Sequence, residues 1–183
     1  MLLLVLGLRR GEVLGLTWGD IDLAGQELSV SHQLSRVHGV LLHRDTTKTA
    51  DSDATLPMPA LCATALRHRR RVQDDARREA GDKWQDSDLV FTTKWGTPIE
   101  PRNFNRSFEL HTRKASLPRI RVHDTRHTCA SMLAALGVHP RVSMRILRHS
   151  QISVTMNVYT QIASPETRKA HDQLNDSLDG ENP

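Results

Sequence analysis

The spacing of apolar positions predicts a chain built mainly of helices. Residues 60–80 carry apolar side chains at helical intervals, and Gly81 follows as a residue that ends such helices. Leu61, Ala65 and Val72 are predicted to form the buried side of this helix. Further helices are predicted to begin at Pro101, at Asp124 as a cap, at Pro140 and at Ser150 as a cap, and a last, polar one covers 165–178.

Alternation of apolar and polar residues predicts a small β-sheet in the first third of the chain. The segment 27–31 has the alternation of a half-buried strand, and 40–42 and 54–58 are two further strand candidates. The polar segment 46–53 is predicted to form a hairpin tip, which places Lys48 on an exposed loop. Residues 89–91 are predicted to form a further short strand. The expected fold class is therefore α+β, mostly α-helical, with a small three-stranded antiparallel β-sheet.

The first residues form an apolar run that begins without a capping residue or a turn. Such an opening predicts the interior of a helix rather than its start. Residues 1–8 are too few to cross a membrane, and no basic residue precedes them as in a signal peptide. Cys62 and Cys129 do not make a disulfide framework. A cytoplasmic protein in a reducing compartment, with no membrane partner, is expected.

The distribution of charge suits a polyanionic partner. The net charge is +4, and the residues after His171 include four acids and no Lys or Arg, so residues 1–171 carry +8. This charge fits nucleic acid, and an ordinary basic surface is the alternative. The predicted helix over 60–80 carries the densest basic cluster, which consists of Arg67, His68, Arg69, Arg70, Arg71, Arg77 and Arg78. This cluster is either a solvated helix face or a surface that contacts a DNA backbone.

Several polar residues form a set that can bind and attack a phosphate. Arg9 and Glu12 lie one helical turn apart, either as a surface ion pair or as a buried arginine held in position by the carboxylate. The other members of the set are Lys48, His123, Arg126, His149 and Tyr159, the only tyrosine of the chain.

His127 follows His123 by four residues, a spacing found in zinc sites. No glutamate or cysteine completes such a set in the sequence, so His127 is predicted to be a core or packing histidine and no metal is expected.

These residues stand in strings that resemble the tyrosine recombinases of the phage integrase family. The matching strings are 7–12 (Gly-Leu-Arg-Arg-Gly-Glu), 47–49 (Thr-Lys-Thr), 123–128 (His-Asp-Thr-Arg-His-Thr), 147–150 (Leu-Arg-His-Ser) and Tyr159, ten residues after His149. Each string alone is common, whereas all of them in this order are specific. One position departs from the pattern, because Arg148 stands where the family usually has glycine. The arginine either alters the turn or adds a phosphate contact.

The resemblance implies a site-specific recombinase or integrase that cuts and rejoins double-stranded DNA through a covalent 3′-phosphotyrosyl intermediate. It implies that the Tyr159 hydroxyl attacks phosphorus, with His123 as general base or hydrogen-bond partner. Lys48 would protonate the departing 5′-oxygen. The energy of the phosphodiester bond is kept in the intermediate, so neither ATP nor another cofactor is implied.

The resemblance also assigns the groups that would stabilise charge on the phosphate. Arg9 and Arg126 would donate to its non-bridging oxygens, and His149 would add a further donor. Glu12 would support the site by orienting Arg9 or His123.

The resemblance implies a domain organisation as well. Residues 1–164 would form the catalytic domain, and 165–183 a C-terminal helix and acidic tail. Family members also have an N-terminal core-binding domain, so the chain is expected to lack that domain and about the first helix of the catalytic one. They act as tetramers on paired DNA sites, so a homotetramer is expected, with no small-molecule substrate.

Two other functions remain open at this stage. One is a recombination-inactive remnant of an integrase that binds DNA or a partner protein. The other, more distant, is a type IB topoisomerase, which shares the tyrosine and the arginines and would relax supercoiled DNA without sequence preference.

Overall fold

A computed structural model describes residues 1–45, 54–160, 169 and 172–175. Its helices are α1 (Leu2–Val5), α2 (Arg10–Gly15), α3 (Ala60–Ala80), α4 (Pro101–Lys114), α5 (Asp124–Ala135), α6 (Pro140–Leu147) and α7 (Ile152–Tyr159). Short 3₁₀ turns cover Trp18–Asp20 and Gly81–Lys83. The strands are β1 (Ile21–Asp22), β2 (Glu27–Val30), β3 (His32–Val37), β4 (Val40–Asp45) and β5 (Ala54–Pro57). Residue 169 and residues 172–175, inside the helix predicted over 165–178, are helical.

The strands form two antiparallel sheets. A three-stranded sheet has the order β1-β2-β5, in which Leu28 lies between Ile21 and Leu56. Strands β3 and β4 form a separate hairpin, in register from His32 opposite Asp45 to Val37 opposite Val40. The three-stranded sheet was predicted, but its membership was wrong, because the strand that begins at Val40 pairs with β3. The segment 46–53, predicted as a hairpin tip, therefore connects two strands of different sheets and itself lies outside the described residues.

A large apolar core joins the first helices to the three-stranded sheet and to α3. It is built from Leu2, Leu6, Leu8, Val13, Leu16, Leu28, Val30, Leu56, Met58, Cys62, Ala63, Leu66 and Val90. A smaller cluster of Cys129, Ala130 and Leu147, with Leu133 and Val158 against it, joins α5, α6 and α7. Since α1 also packs on α5, the first helix links the large core to this second group of helices.

Several local predictions need correction. In α3 the buried residues are Cys62, Ala63, Leu66 and Gln73, whereas Leu61 and Val72 are 58% and 43% exposed. Residues 89–91 do not form a strand, because only isolated bridges pair Thr17 with Leu89 and Thr92 with Pro98. The cap of α5 is His123, since Asp124 is already helical, and the cap of α7 is Gln151 and not Ser150. No helix in the described ranges is long and apolar enough to cross a membrane.

Candidate active site

The N-terminus of α2 holds an arginine against a buried carboxylate. Arg9 is the N-cap residue, and its backbone N–H donates to Glu12 Oε2 at 2.7 Å. Its Nη1 donates to Glu12 Oε1, also at 2.7 Å. The Glu12 side chain is 6% exposed and that of Arg9 is 48% exposed. The buried carboxylate thus fixes Arg9, as the second alternative expected, but the arginine itself is exposed and not buried.

Arg148 contacts the same carboxylate from the end of α6. Its φ of 51° and ψ of 50° lie in the left-handed region, so the backbone keeps the conformation that glycine adopts most easily. Its side chain is 7% exposed, and Nη2 donates to Glu12 Oε2. The Arg148 backbone therefore keeps the left-handed turn, and its side chain points away from solvent. It places a second arginine on Glu12.

The charges around Glu12 keep it ionised. Burial by itself would raise the pKa of Glu12, but the positive charge of Arg148 and the hydrogen bonds and charge of Arg9 outweigh it, so that the pKa lies below its ordinary value. Glu12 is therefore a carboxylate shared by two guanidinium groups.

Arg126 is the most deeply buried arginine of the candidate set. The residue is 4% exposed, and its Nη1 donates to the carbonyl of Gly7. Among the described residues, none accepts a hydrogen bond from its buried Nη2. Burial, followed by repulsion from Arg9 and Arg148, lowers the pKa of Arg126 to about 10. An unpaired buried guanidinium nitrogen is costly, and an anion would satisfy it.

Gly7 allows this arrangement. Its φ is +57°, and a Cβ there would lie 2.6 Å from Leu147 Cδ2 and 3.4 Å from Cys129 Sγ. A larger residue would push α1 away from α5 and α6, and would move the carbonyl that binds Arg126. The sequence marked Gly7 as part of a string but did not show this role.

His123 lies at the start of α5 and is solvent-exposed. Its ring makes an edge-to-face contact with His127, with centroids 5.1 Å apart. Burial, the charge of His127 and the charge of Arg126 lower the pKa of His123. At neutral pH the imidazole is therefore unprotonated and can accept a proton. His127 was predicted to be a core or packing histidine; it is exposed and so not in the core, but its ring packs against that of His123. The described residues contain no group of three or more His, Cys, Asp or Glu side chains placed to hold a metal.

His149 faces the arginines from the turn after α6. Burial, then the charges of Arg126 and Arg9, lower its pKa from 6.5 to about 4. Its Nδ1 lies 3.0 Å from Thr155 Oγ1, and Thr155 is fully buried. The neutral ring is thus fixed by α7, and its other nitrogen can be a donor. Sequence reasoning did not identify Thr155.

The Tyr159 hydroxyl contacts the segment around the start of α6. It donates to the carbonyl of Val138, and it lies 2.6 Å from Ser143 Oγ. Because its proton is shared with a carbonyl, the phenol must leave Val138 before it can act as a nucleophile. Neither Val138 nor Ser143 was a sequence candidate.

A cleft of about 510 Å³ opens beside these residues. Among the described residues, those that line the cleft include Arg9, His123 and Arg126 but not Tyr159. Arg10 adds basic charge to its walls, and Arg121 also lies there but pairs with Asp124 at 2.8 Å. The structure thus brings Arg9, Glu12, Arg126 and His149 together, and places His123 on the cleft. Lys48 lies outside the described residues.

The basic cluster of α3 is mostly engaged within the protein. Arg69 donates to the carbonyl of Val90 at 2.8 Å, and Arg70 lies over the Trp18 ring at 4.7 Å. Arg67 donates to the carbonyl of Leu23, Arg77 pairs with Asp86 and Arg78 with Asp75. These contacts favour a structural role for the cluster over a DNA contact.

Comparisons with known proteins identify the family and the fold of the chain. The model of the phage integrase family matches residues 1–166. A tyrosine recombinase XerC-like protein of Caldanaerobacter subterraneus subsp. tengcongensis is 32% identical over 181 residues, which cover 93% of this chain and 46% of the relative. The integrase of Staphylococcus phage L54a is 25% identical over 171 residues, covering 92% of this chain and 48% of that protein. The Tn1549 transposon integrase, solved with transposon right end DNA, has a TM-score of 0.78 and 26% identity, covering 94% of this chain and 56% of that one.

The chain therefore has the fold of tyrosine recombinase catalytic domains, and the predicted α+β class is confirmed. It belongs to the phage integrase family, as its sequence strings indicated. It spans about half the length of the relatives that it matches.

Proposed function

We propose that the protein is a site-specific DNA recombinase or integrase that breaks and rejoins strands through a 3′-phosphotyrosyl intermediate. The observation that carries this proposal is that Arg9, Arg126 and His149 lie near one another, and that buried Arg126 Nη2 has no hydrogen-bond acceptor among the described residues. These groups come from the start of α2, from α5 and from the turn after α6. They can donate to the same phosphate near neutral pH without a change of protonation state, because arginine side chains are charged there and His149 is neutral.

In the proposed reaction, the arginines stabilise the negative charge that gathers on the non-bridging oxygens. Arg126 is supported by the Gly7 carbonyl and Arg9 by Glu12, so both guanidinium groups are oriented before the substrate arrives. Removing one such donor commonly costs about 10²–10³-fold in rate. These fixed positive charges, together with Lys48, supply the stabilisation that a metal ion gives in other phosphoryl-transfer sites.

The nucleophile in the proposed reaction is Tyr159. Its hydroxyl leaves the Val138 carbonyl and Ser143, loses its proton and forms the bond to phosphorus. His123 is unprotonated at neutral pH and serves as general base or hydrogen-bond partner. The bond from phosphorus to the 5′-oxygen breaks, and Lys48 gives that oxygen its proton. Rejoining is the reverse, with a second 5′-hydroxyl as the attacking group.

The proposed partner is double-stranded DNA. The similar Tn1549 integrase was solved with transposon right end DNA and with circular intermediate DNA. The basic cleft of this chain, with Arg10 and Arg121 on its walls, offers the charge that such a partner needs. We further propose assembly of the protein as a homotetramer on paired sites, with 1–164 as catalytic domain and 165–183 as a C-terminal helix and acidic tail.

A second candidate is a recombination-inactive DNA-binding or partner-binding relative of the integrases. The contact between the Tyr159 hydroxyl and the Val138 carbonyl favours it, because that contact occupies the proposed nucleophile. The two candidates differ in whether a covalent adduct with DNA forms.

Covalent trapping decides between them. The chain is mixed with a duplex that carries the ends of its own mobile element, nicked so that the cut fragment diffuses away. Denaturing gels then detect a protein–DNA adduct, and circular dichroism checks that each variant is folded. The recombinase predicts an adduct that Tyr159→Phe abolishes without loss of fold. A folded wild-type chain that binds this duplex without an adduct would support the second candidate.

A further inference from the structure

Arg148 occupies a backbone conformation that costs an arginine more than it costs glycine. Its φ of 51° is positive, whereas non-glycine residues rarely adopt such values. Its guanidinium is nevertheless held firmly. Nη2 donates to Glu12, Nη1 donates to the carbonyl of Ile146 at 3.3 Å, and the side chain is 7% exposed. A residue kept in such a conformation while its side chain is buried against a charge is a candidate for a role in the site.

Arg148 reaches Arg9 by two routes. The carbonyl of Arg148 accepts a hydrogen bond from Arg9 Nη2 at 3.2 Å. Its guanidinium binds Glu12 Oε2, the same oxygen that accepts the backbone N–H of Arg9. Glycine in the same left-handed conformation would keep the first route and lose the second. The contribution specific to the arginine side chain therefore passes through Glu12.

The second route changes the charge available to a phosphate. With Arg9 as its only cation, the Glu12 carboxylate would form a neutral pair and would hold Arg9 more tightly. Two guanidinium groups on one carboxylate leave a net charge of +1 on the three side chains. Burial raises the pKa of Glu12, and the positive charge of Arg148 is the largest of the effects that lower it. This supports an ionised carboxylate that both arginines share.

We propose that Arg148 is a positioning residue that acts on the phosphate-binding Arg9 through Glu12. It orients the carboxylate and offsets its charge, so that the charge of Arg9 is directed to the substrate phosphate. Both Nη1 and Nη2 of Arg148 already donate within the protein, to the Ile146 carbonyl and to Glu12, so this guanidinium is assigned no contact with the phosphate. This role rests on the proposed function, in which Arg9 contacts the reacting phosphate.

Three substitutions separate charge, bulk and backbone strain. Arg148→Met removes the charge and keeps most of the length and the left-handed backbone. Arg148→Gly also relieves the backbone, and Arg148→Lys keeps the charge without the planar fork. At saturating nicked duplex, Arg148→Met and Arg148→Gly are expected to slow adduct formation by a similar factor of about 10–100. Losses of this size are typical for residues that orient the groups in direct contact with a ligand. Lys should recover part of the rate.

Thermal unfolding of the same variants tests a purely structural role. Arg148→Gly should be more stable than Arg148→Met, because glycine tolerates the left-handed conformation. If Arg148 acts through Glu12, both variants should lose the rate of adduct formation equally, despite this difference in stability. Rates that follow the melting temperatures instead would overturn the inference.

A double-mutant cycle tests the route through Glu12. In the Glu12→Gln background there is no negative charge for Arg148 to offset, so adding Arg148→Met should have no effect on the rate or should improve it. The double variant also removes the unpaired buried charge that Glu12→Gln alone leaves, and should therefore fold better than that single variant. The same rate penalty for Arg148→Met in both backgrounds would contradict the inference.

Inorganic phosphate provides a test that does not depend on recombination. Nitrogen NMR of the Arg9 guanidinium, with phosphate as the titrant, should show phosphate binding several-fold weaker in Arg148→Met than in the wild type, and faster exchange of the Arg9 side-chain protons. Equal phosphate affinity and equal exchange would overturn the inference. If the wild-type chain forms no adduct, the proposed recombinase function fails, and this titration still decides the role of Arg148.

Discussion

At the scale of single residues, burial in the candidate site favours binding of an anion. The Arg126 guanidinium has one buried nitrogen that finds no partner in the part of the chain that the structure describes, and burial lowers the pKa of this residue to about 10. A bound phosphate would supply the missing acceptor and would favour the charged form of the arginine. The same surroundings keep His149 neutral, since burial and the nearby arginines disfavour a further positive charge.

The neutral state of His149 makes folding stability depend on pH. Its pKa in the folded protein is about 4, below the ordinary 6.5. Between these values the unfolded chain binds more protons, so the free energy of unfolding should fall as pH decreases from about 6.5 to about 4. His149→Gln should reduce this dependence. Urea unfolding at several pH values measures it.

The matched control is His68→Gln, because His68 is an exposed histidine on α3. This variant should keep the pH dependence of the wild type. An unchanged slope in His149→Gln would show that His149 does not titrate as described.

At the scale of elements, the junction of α1, α5 and α6 sets the position of Arg126. The backbone of Gly7 passes so close to Leu147 and Cys129 that a Cβ has no room, and its carbonyl accepts the hydrogen bond from Arg126. The catalytic geometry of the proposed site thus depends on a tight contact between elements that are far apart in the sequence.

Gly7→Ala should therefore lower both stability and proposed activity. The substitution combines a positive φ with a contact at 2.6 Å, and we expect a loss of about 2–4 kcal/mol in the free energy of unfolding. Gly39→Ala is the control, because Gly39 has a φ of +79° and no heavy atom within 4 Å of a Cβ. Denaturant unfolding should show the smaller loss for Gly39→Ala, about 1 kcal/mol. Equal losses would mean that the contact with Leu147 is easily relieved.

At the scale of the whole molecule, positive charge is divided between structural contacts and an open cleft. The arginines of α3 are largely paired within the fold, as with Arg77 and Asp86 at 3.0 Å. In the cleft, Arg10 is exposed and donates to the neutral amide oxygen of Asn105 at 3.2 Å. We therefore expect DNA phosphates to contact the cleft and not α3.

This division can be measured through the salt dependence of DNA binding. Arg10→Gln should reduce the slope of log affinity against log salt concentration by about one, because one phosphate contact is lost. Arg77→Gln, the matched control on α3, should leave the slope unchanged. A larger change for Arg77→Gln would indicate that α3 contacts the DNA. Fluorescence anisotropy with a labelled duplex at several salt concentrations provides the measurement.

The sequence by itself determined the features that depend on neighbouring residues. The helical period of 60–80, Pro101 and Pro140 at helix starts and Gly81 and Gly137 at positive φ all act within a turn or two of chain. The strings around Arg9, His123, Arg126, His149 and Tyr159 sufficed to identify the family for the same reason, since each is local and their order is fixed.

Only the tertiary structure decided features that join distant parts of the chain. Strand pairing was one, because the apolar segment from Val40 predicts a strand whichever partner that strand has. The buried side of α3 was another. The bond between Arg148 and Glu12 spans 136 positions, and that between Tyr159 and Val138 links α7 to the loop between α5 and α6. Such contacts arise from how the elements pack, and no local pattern encodes which distant atom will be the partner.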